Sequence, residues 1–106
     1  MDFDYSKVDL AVSKLIDGLS PKAIIFFGSA ADGTTDADSD IDIMVIMDTD
    51  FDYTERNIEA RLIVGHIGMP VDVIVHTPDE IEEERDNRYS LIHEVMKTGK
   101  VLYGAV

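Results

Sequence analysis

Two acidic residues, Asp40 and Asp42, lie two positions apart at the start of an otherwise apolar stretch that runs to Met47. This stretch is predicted to form a β-strand, in which residues i and i+2 project from the same face of the sheet. Two adjacent like charges have no structural role on a core-forming strand, but carboxylate oxygens are the ligands that hard divalent cations prefer. The pair therefore predicts a metal-binding site on one strand of a sheet.

A glycine-serine turn precedes this pair and is separated from it by ten residues. The apolar run Ala23–Phe27 is typical of a central strand, and it ends at Gly28-Ser29. Glycine lets the backbone approach a phosphate closely, and a backbone N–H and the Ser29 hydroxyl can donate hydrogen bonds to phosphate oxygens. Residues 28–39 are rich in Gly, Ser, Thr and Asp, which predicts a loop with a short helical turn near Ser29. The turn is a candidate phosphate-binding site.

A third acidic residue, Asp72, lies on a predicted strand with an alternating pattern, Val71–His76. The valines are expected to face one side of the sheet, and Asp72 and His76 the other. If this strand neighbours the one that carries Asp40 and Asp42, three carboxylates meet on one face. They would repel one another unless one or two Mg²⁺ ions were bound between them. His76 is interpreted as closing the end of the strand rather than as a ligand.

Helical spacing and capping residues predict four helices in the rest of the chain. The first is predicted over residues 8–19 and the second over residues 54–65. The third begins at Thr77, which starts a capping box. The last carries Tyr89 and ends at Gly99.

A short edge strand is predicted over residues 100–103, so that the element order is α-β-β-α-β-α-α-β. This order predicts an α/β (α+β) fold, in which helices pack on a mixed sheet of three to four strands. The length of 106 residues predicts one domain that spans residues 1–106.

The composition limits the classes of partner. The chain has 22 acidic and 9 basic residues and a net charge of −13, which makes nucleic acid an unfavourable partner because its phosphates are repelled. The absence of cysteine excludes disulfides and zinc-thiolate sites. No apolar run is as long as a membrane span, so a cytoplasmic protein is expected. Self-association is left open.

In this order and spacing, the motifs resemble those of the DNA polymerase beta superfamily of nucleotidyltransferases, and in particular its minimal (MNT-type) members. The signature of that family is an apolar strand, Gly-Ser, a spacer of about ten residues, Asp-apolar-Asp-apolar, and later a third acid on a strand. Residues 24–29, 39–43 and 71–73 carry these features, and residues 101–104 resemble the end of such domains. The resemblance spans nearly the whole chain and implies the nucleotidyltransferase fold.

The resemblance implies a role for each motif residue. Gly28 and Ser29 would hold the triphosphate of a nucleotide, with ATP favoured, and Asp40 and Asp42 would bind two Mg²⁺ ions. Asp72 would complete the site of the metal ion that activates the acceptor hydroxyl, directly or by acting as a base. The reaction would transfer a nucleoside monophosphate to a hydroxyl group and release pyrophosphate.

The resemblance also implies a partner. Minimal members often pair with a helical protein of the HEPN type as the antitoxin of a toxin-antitoxin pair, and are thought to adenylylate it. One departure keeps an alternative open: Ala30, Ala31 and Asp32 follow the Gly-Ser turn, where small members commonly have arginine. Positive charge would then come from elsewhere, such as Lys22 or the partner. The alternative is a catalytically inactive module that keeps the fold and neutralises a partner protein.

Overall fold

The structure, a computed structural model, describes residues 4–28, 31 and 40–105. The predicted helical turn near Ser29, and Ser29 itself, lie outside these residues. The described elements follow the predicted order: α1 (Ser6–Leu19), β1 (Ala23–Phe27), β2 (Ile41–Ile46), α2 (Tyr53–Val64), β3 (Val71–His76), α3 (Pro78–Glu84), α4 (Leu91–Thr98) and β4 (Lys100–Gly104). No helix in the described part of the chain combines the length and apolarity needed to cross a bilayer.

The strands form one mixed sheet in the order β3-β2-β1-β4. Strand β1 is antiparallel to both of its neighbours, whereas β2 and β3 are parallel. Parallel neighbours need a crossover connection, and α2 supplies it between β2 and β3. The mixed sheet of four strands confirms the predicted α+β fold.

The two faces of the sheet carry separate apolar cores. Alternate residues of β2 divide between them, with Ile41, Ile43 and Val45 on one face and Met44 and Ile46 on the other. Helices α1 and α2 cover the first face, and α3 and α4 cover the second. Because side chains alternate along a strand, the residue between Ile41 and Ile43 lies on the face of α3 and α4.

Capping residues set the start of both helices on this second face. Thr77 Oγ1 accepts a hydrogen bond from the Glu80 amide at 3.2 Å, and Glu80 Oε1 accepts one from the Thr77 amide at 2.9 Å, which confirms the predicted capping box. Ser90 caps α4 by accepting a hydrogen bond from the His93 amide at 3.2 Å. The prediction that Tyr89 lies on the last helix was wrong, because this residue precedes the cap and is 89% exposed.

The two edges of the sheet differ. The edge strand β3 is covered by α2, where Asn57 Oδ1 accepts a buried hydrogen bond of 2.7 Å from the Val75 amide. An amide that points outward from an edge strand has no partner within the sheet, so this bond satisfies it and ties the helix to the strand. All residues of the opposite edge strand, β4, are exposed. The bond between Asn57 and Val75 thereby holds helix α2 beside β3.

Candidate active site

Asp42 and Asp72 lie opposite each other on the parallel strands β2 and β3. Neighbouring strands are about 4.8 Å apart, so the two side chains leave the same face of the sheet from adjacent positions. Asp40 lies two residues before Asp42, just ahead of β2, where it is exposed and its charge acts on the carboxyl of Asp42. The backbone therefore brings the three predicted acids together at one end of the sheet.

The charges of these residues act on one another. Asp42 is half-buried, and burial raises the pKa of its carboxyl above the ordinary value, with further increases from the charges of Asp72 and Asp40. Ionisation of Asp42 is thus less favourable in this cluster than in water. A bound proton or metal cation would relieve the repulsion.

The side chain of Asp72 is engaged by a basic residue. Arg61 Nη2 donates a hydrogen bond of 2.6 Å to Asp72 Oδ1. Within residues 4–28, 31 and 40–105, no group of three acidic or histidine side chains is close enough, as the side chains stand, to hold a metal ion. The oxygen donors and their shared face suit a hard divalent cation, but ligation by all three acids requires their side chains to move closer together. The metal centre stays a prediction.

Gly28 lies against the carboxylate of Asp42. Its φ is +85°, a conformation that glycine adopts without strain, and a Cβ at this position would collide with Asp42 Oδ2. The preceding residue, Phe27, is the register partner of Asp42 on β1. The glycine of the predicted phosphate-binding turn is therefore directly beside the carboxylates, while Ser29 lies outside the described residues.

A cleft of about 250 Å³ opens beside this turn, between the end of β1 and α4. It is lined by Phe27, Gly28, Leu91, Glu94, Val95 and Thr98. The cleft is smaller than the ~300–1,000 Å³ typical of small-molecule sites, so it has room for only part of a nucleotide or acceptor. A second cavity, of about 330 Å³ between α1 and Leu102, shares no residue with this site.

His76 lies at the opposite end of β3 from Asp72. Its ring stacks on Tyr53 with 5.2 Å between centroids, and Nδ1 lies 3.2 Å from Glu80 Oε1. Burial lowers the pKa of His76 below its ordinary value, although the hydrogen bond with Glu80 opposes this change. These contacts agree with the interpretation of His76 as a residue that closes the strand.

Lys22 is also remote from the acids, contrary to the suggestion that it supplies charge to a nucleotide. It precedes β1, at the opposite end of that strand from Gly28, and its Nζ lies 3.0 Å from Asp48 Oδ2. The same antiparallel pairing that brings Phe27 beside Asp42 takes the start of β1 to the far end of β2.

Arg61 is the residue at this site that sequence reasoning missed. A signal for it exists in the crossover: a helix that joins two parallel strands runs back along the sheet, so its last turn lies near the start of the second strand. Arg61 is the basic residue in the last turn of α2, and Asp72 is the second residue of β3. The predicted order of elements therefore indicates that the two lie near each other, whereas the contact itself depends on the path of α2 along β3.

Comparison with known proteins identifies the family. Residues 12–105 match the family model described as polymerase beta, nucleotidyltransferase. The chain belongs to this nucleotidyltransferase family. A relative from Methanocaldococcus jannaschii, provisionally named a protein adenylyltransferase, is 37% identical over 82 residues, which cover 77% of this chain and 78% of the relative.

A solved structure shares the fold of this chain. A chain from the crystal structure of a toxin-antitoxin with AMP-PNP matches with a TM-score of 0.64 and 24% identity. The match covers 97% of this chain and 75% of that chain. The family model and the archaeal relative confirm the resemblance to minimal polymerase beta nucleotidyltransferases that the motifs indicated.

Proposed function

We propose that this nucleotidyltransferase is an active, magnesium-dependent enzyme that transfers a nucleoside monophosphate from a nucleotide, with ATP favoured, to a hydroxyl group. Asp40, Asp42 and Asp72 are the metal ligands in this proposal, and Gly28 and Ser29 bind the triphosphate. The observation that carries it is the position of Asp42, which is paired in register with Asp72 and packed against Gly28. A phosphate bound at the turn would lie beside the acids.

The proposed reaction is an in-line displacement at the α-phosphorus. The acceptor oxygen forms a bond to that atom, the bond to the bridging oxygen of the β-phosphate breaks, pyrophosphate leaves, and the hydroxyl proton passes to Asp72 or to water. Two bound Mg²⁺ ions would supply charge neutralisation for the attacking and leaving oxygens. The residues of the chain contribute by orienting the phosphates at Gly28 and by excluding water on the side of α4.

The acceptor in this proposal is a hydroxyl group on a partner protein. Support comes from the relative from Methanocaldococcus jannaschii, which is named a protein adenylyltransferase, and from the toxin-antitoxin structure whose fold this chain shares. The sequence resemblance favours a helical partner of the HEPN type, with this chain as the antitoxin of the pair.

The experiment incubates the protein with each α-³²P-labelled nucleoside triphosphate, Mg²⁺ and the protein encoded by the neighbouring gene. We expect label to move from ATP to the partner, and the rate to fall by roughly 10²-fold or more in Asp42→Asn because charge stabilisation is lost. Asp48→Asn is the matched control, since this exposed residue follows β2 at its other end. Absence of transfer from all four nucleotides would contradict the proposal.

Two observations favour the inactive module as a second candidate. Asp72 is held by Arg61, and the residues after Gly28 include no arginine where small family members commonly have one. The same experiment separates the candidates. If the protein is an inactive module, the wild type and Asp42→Asn should bind the partner with equal affinity, and neither should transfer label.

A further inference from the structure

Arg61 reaches Asp72 around the edge of the sheet. Helix α2 is tied to β3 by the buried bond between Asn57 Oδ1 and the Val75 amide, and to the first turn of α3 by the ion pair between Arg56 and Glu80. Its last turn therefore lies beside the start of β3, where Arg61 Nη2 is 2.6 Å from Asp72 Oδ1. The fold therefore sets the place of Arg61 beside Asp72, while its long side chain stays free to change partner.

This ion pair is suited to exchange. The side chains of Arg61 and Asp72 are 51% and 55% exposed, and ion pairs exposed to this extent contribute little to stability because water and salt screen them. The contact can therefore break when Asp72 acquires another cation. A metal ion at Asp72 and the guanidinium would also repel each other, so the two compete for this carboxylate.

The phosphates of a nucleotide need a cation that the turn itself lacks. The residues after Gly28-Ser29 are Ala30, Ala31 and Asp32, and Lys22 is bound to Asp48 at the far end of the sheet. Among the described residues, Arg61 is the basic side chain whose contact with the acidic trio the structure records. A guanidinium donates two parallel hydrogen bonds to phosphate, which an ammonium group cannot match.

We propose that Arg61 is the phosphate-binding residue of this site, held by Asp72 in the absence of nucleotide and transferred to the nucleotide when Asp72 turns to the metal ion. The proposal rests on the proposed function. It assigns Arg61 two opposite effects: it weakens the binding of a metal ion alone and strengthens the binding of a nucleotide. A residue with only a structural role would change both affinities in the same direction.

The test measures both affinities in Arg61→Gln and in the wild-type protein. Mn²⁺ binding without nucleotide is followed by electron paramagnetic resonance. Binding of ATP with a methylene group between the α- and β-phosphorus, which blocks the proposed cleavage, is followed by calorimetry at saturating Mg²⁺. We expect Arg61→Gln to bind Mn²⁺ roughly three- to tenfold more tightly, because a competing charge is gone. The same variant should bind the nucleotide about tenfold or more weakly, because a bidentate phosphate contact is lost.

Two further variants give the comparison its controls. Arg85→Gln removes another exposed arginine, which pairs with Glu82 at 3.2 Å, and should change neither affinity. Arg61→Lys keeps the charge and should bind Mn²⁺ like the wild type while binding the nucleotide with intermediate affinity. Both should retain the thermal unfolding midpoint of the wild type.

The outcomes separate this proposal from the proposed function. Suppose that the wild type binds both ligands. If Arg61→Gln then fails to bind Mn²⁺ more tightly, or fails to bind the nucleotide more weakly, the role of Arg61 is overturned and the proposed function stands. If the wild type binds neither Mn²⁺ nor the nucleotide, both are overturned.

Discussion

Gly28 and Asp42 are packed so closely that any side chain at position 28 would collide with the carboxylate of Asp42. The contact joins the end of β1 to the second residue of β2, and it adjoins the register pair of Phe27 and Asp42. The absence of a Cβ at this position therefore serves the site as well as the turn. Because glycine has no side chain, the carboxylate of Asp42 can lie beside the turn, and we propose that this turn binds phosphate.

Replacing Gly28 with alanine is expected to damage the site more than the fold. The variant must adopt a φ of +85°, at a cost of about 1–2 kcal/mol, and must displace the carboxylate of Asp42. Gly65→Ala is the matched control, because its φ is +63° but its Cβ would meet no atom nearer than Leu62 O at 3.9 Å. Calorimetry should show a loss of nucleotide affinity in Gly28→Ala alone. Equal losses of nucleotide affinity in both variants would contradict a specific role of Gly28 at the site.

Asp42→Asn is expected to stabilise the protein at neutral pH. The pKa of Asp42 is raised in the folded state, so the folded chain holds the carboxyl proton more tightly than the unfolded chain does. The stability of the protein therefore falls as pH rises from the unfolded-state pKa to the folded-state pKa of Asp42. Above the folded-state pKa, the ionised carboxyl lowers the free energy of unfolding by a constant amount, and asparagine removes this loss. Thermal unfolding at pH 7 should show a midpoint a few degrees higher, a gain that shrinks below the ordinary pKa of aspartate. Asp48→Asn should give no gain, and a lower midpoint for Asp42→Asn would refute the account.

Glu80 is expected to stabilise the fold from the opposite end of β3. Partial burial opposes its ionisation, but hydrogen bonds from Arg56, the Thr77 amide and His76 outweigh this and lower its pKa from 4.5 to about 2. Arg56 is buried, and its Nε has no hydrogen-bond partner among the described residues, so loss of Glu80 leaves the guanidinium poorly satisfied.

Glu80→Gln should therefore lower the free energy of unfolding at pH 7 by about 1–3 kcal/mol, less than for a fully buried pair because the Glu80 side chain is 36% exposed. The difference from wild type should shrink as pH falls from about 4.5 and vanish below about 2, where the carboxyl group is protonated in both the folded and the unfolded state. Denaturant titrations across this range provide the measurement. Glu82→Gln, at an exposed ion pair, should be nearly neutral, and a pH-independent loss in Glu80→Gln would argue against the ion pair.

Asn57 is expected to hold α2 against the sheet. Asn57→Ala leaves the buried Val75 amide without its acceptor, which should cost about 1–3 kcal/mol in denaturant titrations. Hydrogen exchange at the Val75 amide should accelerate more than at the amides within the sheet. Asn87→Ala is the control, because its side-chain bond to Glu84 is exposed. Equal losses in the two variants would show that the bond is not what fixes the helix.

The sequence predicted the parts of the fold that depend on local patterns. The alternation in Val71–His76 and the capping box at Thr77 were read correctly because period-two burial and cap chemistry need only neighbouring residues. Tyr89 was misplaced because apolar residues at helical spacing continue upstream of Ser90, the residue that caps the start of α4.

The side-chain contacts between elements were less accessible to sequence reasoning. The pairing of Asp42 with Asp72 could be expected only on the condition that β2 and β3 are neighbours, which is a tertiary fact. The contact between Arg61 and Asp72 depends in addition on the path of α2 along an edge strand. Charge partners on different elements carry no periodic signal, so such contacts become visible only when the register is known.

The central claim is that Asp40, Asp42 and Asp72 hold divalent cations beside a nucleotide bound at Gly28. Crystals grown with Mn²⁺ and ATP carrying a methylene group between the α- and β-phosphorus test it most directly. We predict anomalous-scattering peaks in contact with carboxylate oxygens of these three residues, with the triphosphate against Gly28. Mn²⁺ bound elsewhere, or a nucleotide whose phosphates lie away from Gly28, would contradict the account.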